Sequence, residues 1–335
     1  MNSRSSHPIP IRIGTQSFNL EDVRLEDEDA VLRLFVSAFG YTPHERWFSW
    51  KYAPGRGEAV GLWDEKGRLI AHYGGFAREL RWKGVSVSAI QIGDVMVAPE
   101  VRGLSARKGP FYHVASHFLS SRAGVDRPYQ ITFGFPNERH IRLGVALGLY
   151  RDFGPIYQLR WRTDHHKLPF AWRWSFLPPD TKDWERDVTR AWKAMERDMG
   201  LFVLGVRDAE YLRHRFLSRP DREYIFLSIK RWPWGESKAI CVMGLHGKQA
   251  ELLDVIGPRR AMHLAVRAAL SAAASSGTDV LTCWGTPAVF RVLQETGAES
   301  TVNAAFLALS RVTAIPEEDI EGSEWWLMGG DTDFL

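Results

Sequence analysis

Residues 95–110 read Val95-Met96-Val97-Ala98-Pro99-Glu100-Val101-Arg102-Gly103-Leu104-Ser105-Ala106-Arg107-Lys108-Gly109-Pro110. An apolar strand ends near Ala98, a polar and basic loop follows, and Pro110 opens a helix at a position where its missing N–H costs nothing. That helix carries Phe111, Val114, Ala115, Phe118 and Leu119, the spacing of one buried face. A loop of this make-up at a helix start suits an anion, because free backbone N–H groups and the helix dipole face it. Arg102, Arg107 and Lys108 add positive charge.

Working outward, residues 86–97 (SVSAIQIGDVMV) read as the last of three strands, after 59–63 and 68–82. Asp64-Glu65-Lys66-Gly67 has the composition of a hairpin turn, and Gly74-Gly75 suggests a bulge. Further upstream, Asp27 is a plausible N-cap for a helix with Val31, Leu32, Leu34, Phe35, Ala38 and Phe39, stopped by Gly40. A second short helix is predicted over 44–52, and residues 1–20 are expected to form an arm. Downstream, 129–133 reads as a strand broken by Gly134-Phe135-Pro136-Asn137. Residues 139–147 read as a helix ended by Gly148, and 149–161 as a return to extended structure.

The chain has 335 residues, 45% hydrophobic and 25% charged, with a net charge of +3. Length predicts about two domains, and this apolar content excludes wholesale disorder. The charge is too small to argue for nucleic acid, while leaving an anionic ligand open. Two cysteines, Cys241 and Cys283, are too few for a disulfide framework or a zinc ribbon, and read as small buried residues. No signal peptide or membrane span is visible, so a cytoplasmic protein without membrane or nucleic-acid partners, monomeric or homodimeric, is expected. His165-His166 invites a metal reading, but adjacent side chains point apart and no third ligand has the right spacing, so no metal is expected.

The order of elements resembles the GNAT superfamily of acyl-CoA N-acyltransferases. The likeness rests on residues 95–103, on Gly134-Phe135-Pro136-Asn137, and on Leu147-Gly148 following Asn137. It implies an α/β (α+β) fold with a mixed, mostly antiparallel sheet flanked by helices. It also implies that Val95, Met96, Val97, Arg102, Gly103, Leu104, Ser105, Ala106, Arg107, Lys108 and Gly109 hold the acyl-CoA, and that Asn137 touches its arm. In the family the strand before the loop splays from its neighbour and admits the pantetheine. Two positions depart from the family pattern. Its loop reads Arg/Gln-x-x-Gly-x-Gly/Ala, whereas Ser105 and Arg107 stand at the glycines here. The family often places an acidic Tyr seven residues after the Asn, where this chain has Gly144.

A weak second copy is visible. Trp50-Lys51-Tyr52 resembles His214-Arg215-Phe216, Asp94-Val95 resembles Asp254-Val255, Gly109-Pro110 resembles Gly257-Pro258, and Leu147-Gly148 resembles Thr296-Gly297. The offset falls from 160 at Asp254 to 148 at Gly257, so the second copy lacks 12 residues where the first has its basic loop; Thr286 falls near the Asn137 position. The chain therefore reads as two GNAT-like domains. An arm (1–20) precedes the acyl-CoA-binding domain (21–162). A linker and connecting helix (163–200), the degenerate copy (201–315) and a tail (316–335) follow.

Amide formation from a thioester needs a neutral amine, a stabilised oxyanion and a proton for the leaving thiolate. Asp94, beside the expected thioester, is a candidate base or water-holder. A structural role competes, because Asp254 recurs in a copy without the loop. Tyr150 is the nearest tyrosine that could replace the missing acid. Trp47, Trp50, Tyr52 and Tyr73 are candidates for an acceptor wall. The leading expectation is an N-acetyltransferase that moves the acetyl group of acetyl-CoA to a small-molecule amine by direct attack. An aminoacyl or peptidyl transferase of the tandem type in cell-wall synthesis, and a non-catalytic acyl-CoA binder, stay open.

Overall fold

The computed structural model describes residues 8–104, 108–163, 168–233 and 235–333, with backbone alone for 300–304. The expected loop residues Ser105, Ala106 and Arg107, and the pair His165-His166, lie outside the described residues. The chain forms two compact units. The first comprises Met1–Arg78, Ser88–Phe153 and Ala308–Glu317; the second comprises Glu79–Val87, Gly154–Leu307 and Glu318–Leu335.

In the first unit, β1 (Ile9–Ile13), β2 (Gln16–Asp22), β3 (Gly57–Asp64) and β4 (Leu69–Trp82) pair antiparallel in sequence order. β5 (Val85–Val97) lies next, then β6 (Ile131–Gly134), paired parallel to β5. The helices are α1 (Glu28–Phe39), α2 (Trp47–Tyr52), α3 (Pro110–Arg122) and α4 (Glu138–Ala146). α1 buries Val31, Leu34 and Phe35 and ends at Gly40 with φ +80°, the left-handed cap that glycine adopts without a Cβ penalty.

Three local expectations change. The stretch read as an arm forms a β1–β2 hairpin from Ile9 that buries Ile13, Phe18 and Leu20. Its alternation is hard to see in sequence because polar residues surround each buried one. The short helix starts at Trp47 rather than His44, because the His44 Nδ1 and carbonyl accept the N–H groups of Arg46 and Trp47 in a turn. The Gly74-Gly75 pair is not a bulge: the register with β3 runs through it unbroken and shifts at Leu62/Trp63 instead. Both glycines serve close packing. A Cβ on Gly74 would lie 2.2 Å from the Tyr52 hydroxyl, and one on Gly75 2.7 Å from Ile90.

The second unit takes most of β7 (Tyr150–Arg162), then β8 (Trp172–Phe176), β9 (Phe202–Gly205), β10 (Ile225–Arg231), β11 (Ser237–His246), β12 (Gln249–Ile256) and β13 (Val280–Gly285). Most of β14 (Glu299–Ser310) and β15 (Glu324–Trp326) complete it, with helices α5 (Lys182–Asp198), α6 (Ala209–Leu212), α7 (Met262–Ser275) and α8 (Pro287–Leu293). Its sheet runs β7-β13-β12-β11-β10-β8. α5 buries Trp184, Val188, Trp192 and Met195, and α7 buries a run that includes Leu264, Ala265, Ala268 and Ala269. Small residues on α7 let it lie close to the sheet. Both cysteines are buried free thiols. Burial pushes each well above its ordinary value, which leaves neither as a nucleophile.

The two units repeat one plan. The order β5–α3–β6–α4–β7 recurs as β12–α7–β13–α8–β14, with a parallel pair at β5/β6 and again at β12/β13. Asn137 caps α4 and Thr286 occupies the N-cap of α8. Gly148 and Gly297 both have φ near +80° after the second helix of the motif. The connector between strand and helix spans 98–109 in the first copy and 257–261 in the second, seven residues shorter rather than the 12 that the offsets predict, because the turn Arg259–Ala261 separates Gly257-Pro258 from α7 while Gly109-Pro110 opens α3 directly. Each copy's last strand joins the sheet of the other unit: β7 pairs with β13, and the end of β14 pairs with β6 through Ala308↔Gly134 and Leu309↔Phe133. This exchange sets the boundaries near 153 and 307, and the pairing of Leu80–Trp82 with β9 accounts for the segment Glu79–Val87.

Candidate active site

The opening in the first sheet comes from a short strand. β6 has four residues and pairs with β5 over Ala89–Ile92 only. Phe135-Pro136 then turns the chain into α4, and Pro136 has no N–H to extend a ladder. β5 continues to Val97, so its last residues, Val95, Met96 and Val97, run on beyond the parallel pairing. Asp94, at the point of divergence, has φ +51°, the left-handed region that Asp tolerates better than most residues.

Beyond β5 the chain turns through Pro99–Val101 and reaches Gly109, the N-cap of α3, with Pro110 in its first turn. Arg102, Gly103 and Lys108 are exposed, and Leu104 and Gly109 half-buried. The Arg102 Nε donates to the Val97 carbonyl at 3.0 Å, which folds the guanidinium back toward the strand end. Lys108 Nζ stands over the Tyr112 ring. Asn137 caps α4, its side-chain oxygen accepting the His140 N–H at 3.0 Å. Burial first, then the charges of Arg139 and Arg102, holds His140 below its ordinary value. Arg102 and the α4 start therefore share one positive region beside the opening, where free helix N–H groups reinforce the side chains.

Asp94 is not an unengaged carboxylate. It accepts from Lys51 Nζ at 2.9 and 3.1 Å and from the Tyr52 hydroxyl at 2.8 Å. Its backbone carbonyl lies 2.8 Å from the Nδ1 of His72. His72 is completely buried, and its Nε2 has no hydrogen-bond partner among the described residues. Burial, aided by the Lys51 charge, lowers His72 to about 4. The ring is therefore neutral near pH 7; its Nδ1–H donates to the Asp94 carbonyl and its Nε2 is a bare acceptor. Lys51 also stands 4.7 Å from the centroids of both Trp47 and Phe76, a cation–π cage that holds a buried ammonium.

Tyr150 belongs to a separate cluster. Its hydroxyl lies 2.6 Å from that of Tyr73, and the Phe111 ring of α3 packs against both. Burial raises both phenols well above the ordinary value, so both stay protonated. Tyr150 also explains the glycine seven residues after Asn137. A Cβ on Gly144 would lie 1.9 Å from the Tyr150 ring, so the ring fills the space a side chain at 144 would need. His72 and Tyr73 are neighbours on β4, and successive strand residues face opposite sides of a sheet. The Asp94 and Tyr150 clusters therefore lie on opposite faces of β4. Of the expected acceptor wall, Trp47, Tyr52 and Tyr73 are buried in these clusters and Trp50 is half-buried.

Residues 19–154 match the family description "Acetyltransferase (GNAT) domain". The chain carries a GNAT domain. Solved structures extend the likeness over both units, at identities that speak for the fold alone. An Enterococcus faecalis protein described as a probable N-acyltransferase aligns at a TM-score of 0.67 and 11% identity, covering 87% of this chain and 72% of that one. A tandem GNAT protein from the clavulanic acid biosynthesis pathway gives 0.57 and 11%, covering 90% and 99%. Saccharomyces cerevisiae N-myristoyltransferase with bound myristoyl-CoA gives 0.54 and 12%, covering 92% and 84%. A search of curated proteins found no match.

The GNAT domain contains two site residues that sequence reading missed, Lys51 and His72. Lys51 had a signal: it lies in Trp50-Lys51-Tyr52, opposite Arg215 in the repeat. The ionic partner in the second copy is nevertheless different. There Asp254, the counterpart of Asp94, accepts from Arg207 at 2.7 Å, while Arg215 donates to the Gly330 and Thr332 carbonyls. Burial pushes Asp254 up to about 6 even beside Arg207. Among the described residues no cluster of His, Cys, Asp or Glu could hold a metal ion, and no helix is long and apolar enough to cross a membrane.

Proposed function

We propose that this protein transfers an acyl group, most simply acetyl from acetyl-CoA, to the amine of a small molecule. The observation that carries the reading is the divergence of β5 from β6 after Ile92, next to the positive region of Arg102, Lys108 and the starts of α3 and α4. The match of residues 19–154 to an acetyltransferase domain supports an acetyl donor. In this reading the pantetheine arm enters along Val95, Met96 and Val97. The pyrophosphate meets Arg102, Gly103, Leu104, Lys108 and Gly109 together with Ser105, Ala106 and Arg107, and Asn137 touches the arm. Trp50 offers the acceptor an aromatic face on α2 with Trp47 and Tyr52, while Tyr73 belongs with Tyr150 on the other face of β4. The second unit is the degenerate copy and shapes the fold without a CoA loop.

In the reaction the amine nitrogen attacks the thioester carbonyl carbon. The C–N bond forms and the C–S bond breaks, and the proton lost by nitrogen ends on the CoA thiolate. No covalent enzyme intermediate is needed, and both thiols are buried. Tyr73 is fully buried and its described hydroxyl partner is Tyr150. With Tyr73 donating to Tyr150, the Tyr150 proton is left to donate to the departing sulfur. Asp94, engaged by Lys51 and Tyr52, acts in this scheme by fixing the left-handed turn at the opening; the amine loses its proton to water, and water returns a proton to Tyr150, so the net transfer is from nitrogen to sulfur.

Calorimetric titration with acetyl-CoA tests the reading, beside a variant with Arg102, Arg107 and Lys108 changed to Ala. Micromolar binding, about −8 kcal/mol, that weakens in the variant supports it and justifies an acceptor screen. No binding to the unaltered protein overturns it.

A further inference from the structure

The second unit holds an open cavity of about 580 Å³ lined by Arg259, Arg260, His263 and Arg267, with Asp198 and Glu295 at its wall. That volume falls within the range of small-molecule sites. Arg259 and Arg260 lie in the turn before α7. His263 and Arg267 are four residues apart, on one face of the helix. All four side chains are exposed.

Elsewhere on this unit, exposed arginines find carboxylates: Arg186 pairs with Asp183, Arg213 with Glu185 and Arg291 with Glu324. Arg259, Arg260 and Arg267 have no carboxylate partner among the described residues, although two acids line the same cavity. One of those acids is committed elsewhere. The Asp198 carboxylate accepts the Arg259 backbone N–H at 2.7 Å, so it is held at the turn before α7 rather than on a guanidinium.

We propose that this cavity is a binding site for a small phosphate- or diphosphate-bearing molecule, distinct from the acyl-donor site of the first unit. Guanidinium forks match phosphate oxygens two at a time. Three arginines against Asp198 and Glu295 leave the lining one positive charge in excess, which an anionic group offsets. The acids at the rim and a net charge of only +3 for the chain argue against a long polyanion running past the cavity. The proposal does not depend on the first unit binding acyl-CoA.

The test titrates inorganic pyrophosphate into the full chain at 0.15 M salt, read by calorimetry and by the His263 ring resonances, which H263Q assigns. The background is R102A/R107A/K108A, so binding at the first unit is suppressed. The expected result is saturable binding that moves the His263 signal and weakens at least tenfold in the added double variant Arg260→Ala/Arg267→Ala. Both residues are exposed, so the fold should persist, and unchanged circular dichroism checks it. Absence of saturable binding in the background protein overturns the proposal. So does binding that survives the double variant, or a short DNA strand that outcompetes pyrophosphate at equal phosphate concentration.

Discussion

The Lys51 ammonium lies 2.9 Å from one oxygen of Asp94 and 3.1 Å from the other, with both side chains less than a tenth exposed. The pair ties α2 to the point where β5 leaves β6. Removing one partner leaves a buried charge, which costs about 3–5 kcal/mol, whereas replacing both by apolar groups of similar volume is far less costly. Lys51→Met is therefore expected to destabilise strongly, and Lys51→Met/Asp94→Asn, which removes both charges but keeps a residue that tolerates φ +51° and accepts from Tyr52, to recover much of the loss. Urea unfolding of the two single variants and the double variant measures this. Additive losses would show that the two side chains do not act as a pair.

The parts of this site that were legible in the sequence are local. Pro110 and the run Phe111–Leu119 announce α3, Gly40 ends α1, and the matching glycines 148 and 297 expose the repeat. What stayed hidden depends on residues far apart in the chain. Lys51 and Asp94 are 43 positions apart, and nothing near either names the other. Gly144 reads as the loss of an acid until the ring of Tyr150 is seen to occupy its space. The partner exchange of β7 and β14 leaves no mark in periodicity, because a strand looks the same whichever sheet accepts it.

His72 gives stability a pH dependence with a definite sign. The unfolded chain binds a proton at this residue near pH 6.5, while the folded chain resists it down to about 4. Its contribution is fully present above pH 6.5 and is lost as pH falls from there toward 4, by about 3 kcal/mol in all. His72→Gln should flatten the fall in unfolding midpoint between pH 7 and pH 5. An unchanged slope would mean that other groups set the acid limit.

Tyr150 is expected to matter for turnover more than for binding. Tyr150→Phe keeps the ring over Gly144 and removes only the hydroxyl, so acetyl-CoA affinity should hold while kcat falls about 10²-fold, the size of one proton-donor contribution. Tyr73→Phe should cost less, since it removes the group that orients that proton. Both phenols stay protonated well above pH 10, so no decline in rate attributable to them should appear up to that pH. Gly144→Ala drives a methyl group into the ring and should destabilise by about 1–3 kcal/mol. Equal kcat in wild type and Tyr150→Phe would remove Tyr150 from the chemistry.

Asn137 separates two roles that one residue can fill. As the α4 cap it accepts the His140 N–H, and Asn137→Ala should cost about 1 kcal/mol of stability. Asp caps a helix as well as Asn does, so Asn137→Asp should keep the wild-type unfolding midpoint. If Asn137 also lies against the acyl-CoA arm, the added negative charge should weaken acetyl-CoA binding about tenfold, a loss near 1.4 kcal/mol. Calorimetry on Asn137→Asp decides between the roles, because its fold is intact by construction of the cap. Wild-type affinity in that variant would confine Asn137 to capping and shift recognition of the arm onto the end of β5.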